Sequence, residues 1–340
     1  MKKRFLIALA GMAMAVMAGC GAADGTFLEA EETKMETETQ TPAEEEVSGT
    51  VTIQSYNGEK EQIELEVPYN PQRIAILDMA SLDIIDALGL GDRVVGSAPT
   101  AIEYLSDYVP DDSNGIANLG TIKNADLVEV AVCEPDIIFI GGRLSAVYED
   151  LSAIAPVIYL SVEPEKGVVK STAENARTIA SIFGEEEKAD ALMEEFDSRI
   201  QAIREQYEGK NAIVGLYSGS NYNVLGNDGR CSLIGNELGF HNLGTDAGEI
   251  TSTHGNEASW ETIVNLNPEY MFVLDRNSAI SSTEGNPAVQ EAIENELIKE
   301  LDVYKNGNII YLAHPNVWYT AEGGIQALDV MLQDMEERLF

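Results

Sequence analysis

Short runs rich in valine and isoleucine alternate with amphipathic segments along most of the chain after residue 50. The runs have the length and composition of buried strands, and the segments between them repeat apolar residues at helical spacing and end at glycine or proline. We therefore predict strands at 73–77, 93–97, 136–140, 157–161, 212–218, 270–275 and 308–313. We predict helices at 81–91, 148–156, 231–240, 259–268 and 323–339. This alternation is typical of an α/β fold with parallel sheets.

A longer amphipathic segment, GEEEKADALMEEFDSRIQAIREQYEGK, divides the strands into two groups. Its apolar residues lie mostly three or four positions apart, which places them on one face of a single helix about 35 Å long. Acidic residues crowd its first turn, and glycines stand at both ends. We predict two Rossmann-like lobes, 51–183 and 209–340, joined by one long backbone helix at 184–208.

The first twenty residues, MKKRFLIALAGMAMAVMAGC, have the parts of a secretory signal: a basic start, an apolar stretch too short for a comfortable membrane span, and small residues before a cysteine. The ending resembles a bacterial lipobox, except that Met17 stands where leucine is usual. The resemblance implies a lipoprotein signal peptide at 1–19 and a lipid-modified Cys20. The alternative is an ordinary signal peptide whose cysteine is incidental.

The segment that follows, 20–50, is strongly acidic and has almost no apolar residue to bury. A segment of this composition cannot offset the entropy lost on ordering, and its like charges repel each other. We predict a disordered tether between the membrane and the folded part.

The whole chain is acidic, with 58 acidic against 21 basic residues and a formal net charge of −37. A nucleic acid would be repelled, and any anionic ligand would have to be held by a local cluster of positive groups. Cys133 and Cys231 show no metal-binding spacing, and their sequence context leaves open whether they are paired or are free thiols.

Three arginines stand where a positive cluster could form. Arg143 follows the predicted strand DIIFI, Arg276 follows YMFVLD, and Arg230 lies in the glycine-rich turn LGNDGRCSLIG. Because parallel α/β lobes bind ligands at the carboxyl ends of their strands, we expect Arg143 and Arg276 at a rim where the two lobes face each other. The alternative for each arginine is a solvated surface group paired with a nearby acidic residue.

Four stretches resemble, in the same order, the iron–siderophore-binding lipoproteins of ABC importers. They are NPQRIAILDMASLDIIDALGLGDRVVG, EPDIIFIGGRLSAVYEDLSAIAPVIYL, STHGNEASWETIVNLNPEYMFVLDRN and NVWYTAEGGIQALDVML. The similarity covers nearly everything after residue 50 and is greatest to the subgroup that binds catecholate siderophores. It implies a ligand cleft between two lobes and an ABC permease as partner. It also implies a monomer that is anchored by lipid at the extracellular face of a Gram-positive type of cell membrane. The expected cargo is Fe³⁺ in a siderophore complex, and no permanent cofactor is expected.

The resemblance also implies roles for single residues. Arg143, Arg230 and Arg276 match the arginines that hold the ligand in the catecholate-binding relatives. Three guanidiniums would neutralise a ferric complex of three doubly deprotonated catecholates and would offer planar donors to its oxygens. His254 and Tyr319 match residues that complete the iron shell when a siderophore supplies only four oxygens. Without the resemblance, they would be an ordinary loop histidine and a packing tyrosine.

Trp318, beside the proposed tyrosine, is a further candidate for the ligand-binding surface, with packing in the core as the alternative. His241 and His314 are interpreted as structural, and His314 as the nearer of the two to the cleft.

Permease docking in this family uses one acidic residue in each lobe. Glu261 fits the position in the second lobe. In the first lobe Val128 occupies the expected position, and the adjacent Glu129 is the candidate. The alternative for both glutamates is a solvated helix face.

Other classes of protein remain as alternatives. An enzyme would need a catalytic motif, and the chain has no GxSxG, HExxH or P-loop and no GxGxxG after a strand. The same fold could carry haem, cobalamin or a hydroxamate siderophore, although a nearly neutral hydroxamate complex would not need three arginines. A structural lipoprotein without a ligand is the remaining alternative.

Overall fold

A computed structural model describes residues 49–245, 254–280 and 287–340. The predicted signal peptide, Cys20 and nearly all of the predicted tether lie outside the described residues. In the described part, no helix has both the length and the apolar character that crossing a membrane requires.

In chain order the strands are β1 (Thr50–Tyr56), β2 (Gln62–Pro68), β3 (Ile74–Leu77), β4 (Val94–Ser97), β5 (Ala117–Asn118), β6 (Gly120–Thr121), β7 (Asn124–Ala125), β8 (Ile137–Ile140), β9 (Val157–Tyr159), β10 (Asn211–Ser218), β11 (Asn221–Val224), β12 (His241–Asn242), β13 (Asn256–Glu257), β14 (Tyr270–Asp275) and β15 (Ile309–Tyr311). The helices are α1 (Met79–Ala87), α2 (Leu127–Val132), α3 (Tyr148–Ser152), α4 (Val168–Phe183), α5 (Glu186–Met193), α6 (Phe196–Tyr207), α7 (Ser232–Asn236), α8 (Trp260–Leu266), α9 (Arg276–Ala279), α10 (Pro287–Ile293), α11 (Asp302–Lys305), α12 (Pro315–Thr320) and α13 (Ile325–Leu339). Short 3₁₀ segments cover Gly91–Arg93, Glu103–Tyr108, Gly142–Val147 and Ile298–Glu300.

Two sheets organise the chain into two lobes. The first lobe is built on a sheet of order β5-β4-β3-β8-β9, whose neighbouring strands are all parallel. The second lobe is built on a sheet of order β13-β11-β10-β14-β15, with β12 also beside β10. Its β10–β14 and β14–β15 pairs are parallel, and its β11 pairs are antiparallel. The predicted α/β class and each of the predicted strands are confirmed.

The strands at the centre of each sheet are apolar because helices cover both faces of a parallel sheet. Every residue of β3 and β8 is buried, and so are four of the six residues of β14. Polar residues follow directly after these strands, and the carboxyl ends of the strands form the edge of the sheet at which a ligand can bind.

A hairpin of β1 and β2 precedes the first sheet, and the sequence analysis missed it. Its strands pair antiparallel from Thr50↔Pro68 to Tyr56↔Gln62. Ser55 fixes the hairpin to β9, because its hydroxyl accepts from the amide of Tyr159 at 3.0 Å and donates to the carbonyl of Tyr159 at 3.2 Å.

The connection between the lobes differs from the predicted continuous helix over 184–208. The segment forms α5 and α6, separated by a turn at 194–195. The two halves follow different neighbours: Asp190 of α5 pairs with Arg177 of α4, whereas Arg199 of α6 pairs with Asp329 and Glu336 of α13. The apolar face was predicted correctly, but the bend follows from this tertiary packing.

A second link between the lobes joins α1 to α13. The buried carboxylate of Asp83 in α1 accepts from the backbone amides of Gln326 and Ala327 at 2.9 and 2.8 Å, and from the Tyr104 hydroxyl at 2.7 Å. A residue of the first lobe therefore caps the amino end of the last helix, where amides have no partner within the helix.

The hydrophobic core continues from one lobe into the other. One cluster of buried side chains includes Ile76 and Phe139 from the first sheet, Leu216 and Phe272 from the second, and Leu328 of α13. The lobes thus share a core as well as two helical links.

Candidate functional site

A cavity of about 500 Å³ lies between the lobes, at the carboxyl ends of several strands. We call it the interlobe cavity. It is lined by residues that directly follow β3, β8 and β9 in the first lobe and by residues near α7 and α12 in the second. Its charged and polar lining includes Ser81, Arg143, Ser161, Arg230, His254 and Tyr319.

The arginines reach this region from three different structural contexts. Arg143 lies in the 3₁₀ segment that follows β8, and Arg276 is the first residue of α9, directly after β14. Arg230 precedes Cys231, the N-cap residue of α7, whose backbone has a left-handed φ of 59°. The predicted positions of Arg143 and Arg276 at strand ends are therefore what the structure shows.

Tyr319 of α12 is the point on which the three guanidiniums converge. The guanidinium carbons of Arg143, Arg230 and Arg276 lie 5.8, 4.2 and 5.9 Å from the centre of its ring. Arg276 Nε donates to the Tyr319 hydroxyl oxygen at 3.1 Å, and Arg230 Nε donates to its carbonyl oxygen at 3.4 Å. The positive charges are thus gathered within one small region, as an anion-binding site requires.

His254 stands beside the same tyrosine. Its ring lies 6.4 Å from the Tyr319 ring, with an angle of 16° between the two planes. Burial is the largest cause that lowers the pKa of His254, and the nearby charges of Arg230, Arg276 and Arg143 lower it further. Burial and the positive charges therefore both favour the neutral imidazole over the charged form.

The surroundings of Arg143 and Arg276 differ from those of the arginines on the outer helices. Among the described residues, neither has a carboxylate oxygen within the 4.0 Å of an ion pair, whereas Arg177, Arg199 and Arg204 on the outer helices do. Burial against the cavity wall, followed by the charge of Arg230, lowers the pKa of Arg143. Since an arginine stays protonated even after such a shift, Arg143 keeps its charge at the cavity wall, where the Asp78 carboxyl also interacts with it.

Two carboxyl groups that line the interlobe cavity beside the arginines were missed by the sequence analysis. Asp78, which follows β3, caps α1 by accepting from the Ser81 amide at 2.9 Å, and burial raises its pKa. Burial raises the pKa of Glu322 to about 7, although Arg230 opposes the shift, and Glu322 accepts from the Cys231 amide at 3.0 Å. Nothing in the sequence distinguishes these two acids from the many others.

Trp318 lies in the core rather than in the cavity wall, which corrects its inclusion among the ligand-binding candidates. Its side chain is fully buried, and its indole N–H donates to Asp334 Oδ2 at 2.8 Å. The same carboxylate group contacts His314 Nδ1 at 2.7 Å, so His314 has the structural role that was predicted. Neighbouring residues of a helix point about 100° apart, which separates Trp318 from Tyr319.

The other candidates are placed as follows. Cys133 and Cys231 are buried free thiols, and burial raises the pKa of Cys231 well above its ordinary value.

The two glutamates predicted to contact a permease lie at the starts of helices. Glu261 lies in the first turn of α8, and Glu129 lies in the first turn of α2. Val128, next to Glu129, has a side chain that is 69% exposed. Both glutamates are exposed, one in each lobe. In the described part of the chain, no three His, Cys, Asp or Glu side chains are grouped so that they could hold a metal ion.

Comparison with known proteins agrees with this architecture. The sequence model described as "Periplasmic binding protein" matches residues 74–315. The petrobactin-binding protein YclQ of Bacillus subtilis is 34% identical over 81% of this chain and 84% of its own length. The ferric-anguibactin-binding protein FatB of Vibrio anguillarum is 24% identical over 78% of this chain and 81% of its own.

Solved structures give the same result. The crystal structure of YclQ has a TM-score of 0.76 and 32% identity, and the match covers 86% of this chain and 99% of that one. The periplasmic catecholate-siderophore-binding protein VctP of Vibrio cholerae has a TM-score of 0.74 and 28% identity, covering 84% of this chain and all of that one. The chain belongs to the periplasmic binding protein family, and it is a substrate-binding protein with the two-lobed fold of its solved relatives.

Proposed function

We propose that the protein captures a ferric siderophore that contains catecholate groups and delivers it to an ABC permease. The observation that carries this proposal is the convergence of Arg143, Arg230 and Arg276 on Tyr319, a residue that lines the interlobe cavity together with Arg143 and Arg230. The ligands of the relatives support it, because YclQ is a petrobactin-binding protein and VctP is a catecholate-siderophore-binding protein.

Charge and geometry both favour this class of ligand. Ferric iron held by three doubly deprotonated catecholates carries three negative charges, which three guanidiniums match. Each guanidinium also offers several planar N–H donors to the catecholate oxygens and a flat face to the aromatic rings, and a lysine could supply only the charge. A nearly neutral hydroxamate complex would leave the arginines without counter-charge, so it fits the cavity less well.

His254 and Tyr319 are the proposed additional iron ligands. High-spin Fe³⁺ favours six donors, and a siderophore with two catecholates supplies four. A neutral imidazole and a phenolate would supply the remaining two, and the Arg276 N–H that already points at the Tyr319 oxygen would stabilise the phenolate charge. The iron is cargo in this scheme, and the protein performs no chemical reaction on it.

The proposed setting is the outer face of the cell membrane. Cys20 would carry the lipid anchor, residues 20–50 would form the tether, and Glu129 and Glu261 would contact the permease. The chain would act as a monomer. The curated relatives include the probable siderophore-binding lipoprotein YfiY of Bacillus subtilis, which is 24% identical over 79% of this chain, and its description supports the anchor.

A binding titration tests the proposed ligand class. Quenching of tryptophan fluorescence by ferric catecholate, ferric hydroxamate and haem is measured on the wild type and on Arg143→Gln, Arg230→Gln and Arg276→Gln. The wild type should bind the catecholate complexes tightly, and each substitution should weaken that binding by roughly 10- to 100-fold, since a hydrogen bond to a charged group contributes about 1.5–3 kcal/mol.

Arg338→Gln is the matched control, because Arg338 is an exposed arginine in the last turn of α13. It should bind the catecholate complexes as the wild type does. Equal affinity in all four variants, or a wild type that prefers the neutral hydroxamate complex, would overturn the proposal.

A further inference from the structure

We propose that Lys60 is a specificity-determining residue, which contacts an anionic group on the outside of the bound complex, such as a carboxylate that does not coordinate the iron. This inference rests on the proposed function and names a narrower ligand class: ferric catecholates that carry a peripheral carboxylate. Lys60 belongs to the hairpin tip, residues 57–61 between β1 and β2, and it lines the interlobe cavity together with Arg143 and Arg230.

The hairpin tip is a constrained turn. Asn57 closes it, because its side-chain oxygen accepts from the amides of Glu59 and Glu61 at 3.0 and 2.9 Å, and its carbonyl accepts from the Lys60 amide at 3.0 Å. Lys60 has a φ of 65°, in the left-handed region that disfavours residues with a Cβ atom. Glycine or asparagine would suit this backbone better, so a lysine at position 60 has a local conformational cost.

The tip is also packed against the wall that carries Arg143. A Cβ atom on Gly58 would lie 3.0 Å from the Ser145 carbonyl oxygen and 3.1 Å from the Tyr148 Cβ, so the backbone at this point lies directly on the segment after Arg143. The hairpin tip that carries Lys60 is therefore in contact with the segment that follows Arg143. Its side chain, in contrast, is exposed and can reach anions over a range of positions.

The charge of Lys60 is available to a ligand. Within the described ranges, no carboxylate oxygen lies within 4.0 Å of its ammonium group, although the chain has 58 acidic residues. Glu59 and Glu61 flank it along the chain, so the hairpin tip as a whole does not attract anions at long range. Lys60 can therefore favour only a ligand whose negative group comes close to it.

The three arginines and Lys60 would contact different parts of the ligand. The three guanidiniums surround Tyr319 and would face the iron-bound oxygens of the ligand. Lys60 lies on the hairpin at the first-lobe side of the interlobe cavity. A rigid fork suits the fixed geometry of catecholate oxygens, and a flexible point charge suits a carboxylate whose position varies among siderophores.

Two simple ferric complexes separate these roles. The tris-catechol complex and the tris-(3,4-dihydroxybenzoate) complex share one iron shell, and only the second carries a carboxylate on each ring. Their dissociation constants are measured by tryptophan quenching, at low ionic strength and with excess ligand at alkaline pH, so that each iron keeps three catecholates. The proteins compared are the wild type, Lys60→Gln, Lys60→Gly and the exposed control Lys170→Gln of α4.

Lys60→Gln should bind the tris-catechol complex as the wild type does and should lose roughly fivefold in affinity for the carboxylated complex, as expected for one exposed charge pair. Lys60→Gly should show the same loss with an unchanged or higher melting temperature, because glycine accepts the left-handed backbone. Lys170→Gln should match the wild type with both complexes.

The outcomes distinguish this inference from the proposed function. If the wild type binds both complexes and Lys60→Gln changes both affinities equally or not at all, Lys60 is not a specificity residue and the proposed function stands. If the wild type binds neither complex, the proposed function fails and the role of Lys60 fails with it.

Discussion

Tyr319 is a buried ring, 4% exposed, held among three arginines that come from distant parts of the chain. The ring gives three like charges a shared partner, since the electron-rich faces of aromatic rings attract guanidiniums. Part of the repulsion between the arginines is therefore offset before a ligand arrives. A phenol in this position is also the group on which the proposed iron chemistry depends.

Replacing Tyr319 by phenylalanine keeps the ring and removes only the oxygen. Because the phenolate is needed only when the siderophore leaves two iron positions open, Tyr319→Phe should weaken tetradentate ferric complexes by at least about tenfold. Hexadentate complexes should change by less than about twofold. Fluorescence titration gives the affinities, and visible absorption reports a phenolate-to-iron charge-transfer band that the variant should lack.

Tyr304→Phe is the control for this substitution, because Tyr304 is a partly buried tyrosine of α11. If Tyr319→Phe binds both kinds of complex as the control does, the tyrosine is a packing residue and not an iron ligand.

The sequence analysis predicted the arginines of the site, but it did not predict the other charged residues that line the cavity. Arg143 and Arg276 were predictable because a buried run followed by a charged residue marks a strand end in an α/β fold. Lys60, Asp78 and Glu322 were not predictable, because no local pattern separates a cavity residue from a surface one in such an acidic chain. Trp318 was placed wrongly since its orientation depends on how α12 packs on α13.

At the level of elements, the main parallel strands of both sheets were predictable from their apolar runs. The long helix α4 and the short strands were not predicted; these strands are β5, β6, β7, β11, β12 and β13. The break between α5 and α6 was not predicted either, because it arises where two halves of one amphipathic segment pack on α4 and on α13. The hairpin of β1 and β2 was also missed, although its strands alternate polar and apolar residues, as in VTIQSY and QIELEV. Local sequence pattern therefore predicted the longer buried strands, whereas tertiary contacts determine where the helix over 184–208 is interrupted.

The cap that α1 provides for α13 has a testable pH dependence. Burial raises the pKa of Asp83 from 3.8 to about 7 in the folded protein, although its hydrogen bonds oppose the shift. At pH values between 3.8 and about 7, the Asp83 carboxyl is protonated in the folded protein and ionised in the unfolded chain. Stability from this group is therefore present at low pH and is lost as the pH rises towards about 7.

Comparison with Asp83→Asn isolates this effect, because the amide does not titrate. The variant should be less stable than the wild type, because its side-chain NH₂ group takes the place of one carboxyl oxygen. This NH₂ group cannot accept a hydrogen bond from the backbone amides at the start of α13. The difference in free energy of unfolding between the two proteins should shrink as the pH rises from about 4 to about 7. Urea unfolding at several pH values measures it, and a difference that stays constant would contradict the assigned pKa.

On the scale of the whole molecule, the two lobes are joined by the continuous core as well as by α5, α6 and the cap of α13. We expect residues 49–340 to unfold in one cooperative transition. Scanning calorimetry should give a ratio of calorimetric to van't Hoff enthalpy of about one. A ferric catecholate should move the whole transition to higher temperature. Two resolved transitions, of which only one responds to the ligand, would mean that the lobes are energetically separate.

The position of α13 has a consequence for biosynthesis. Residues 325–339 cover α1 and receive the Asp83 cap, although 243 positions separate Asp83 from Gln326 along the chain. The first lobe therefore cannot complete its packing until α13 has also left the ribosome. Because the strands of the second lobe are synthesised between α1 and α13, the two lobes must complete their packing together.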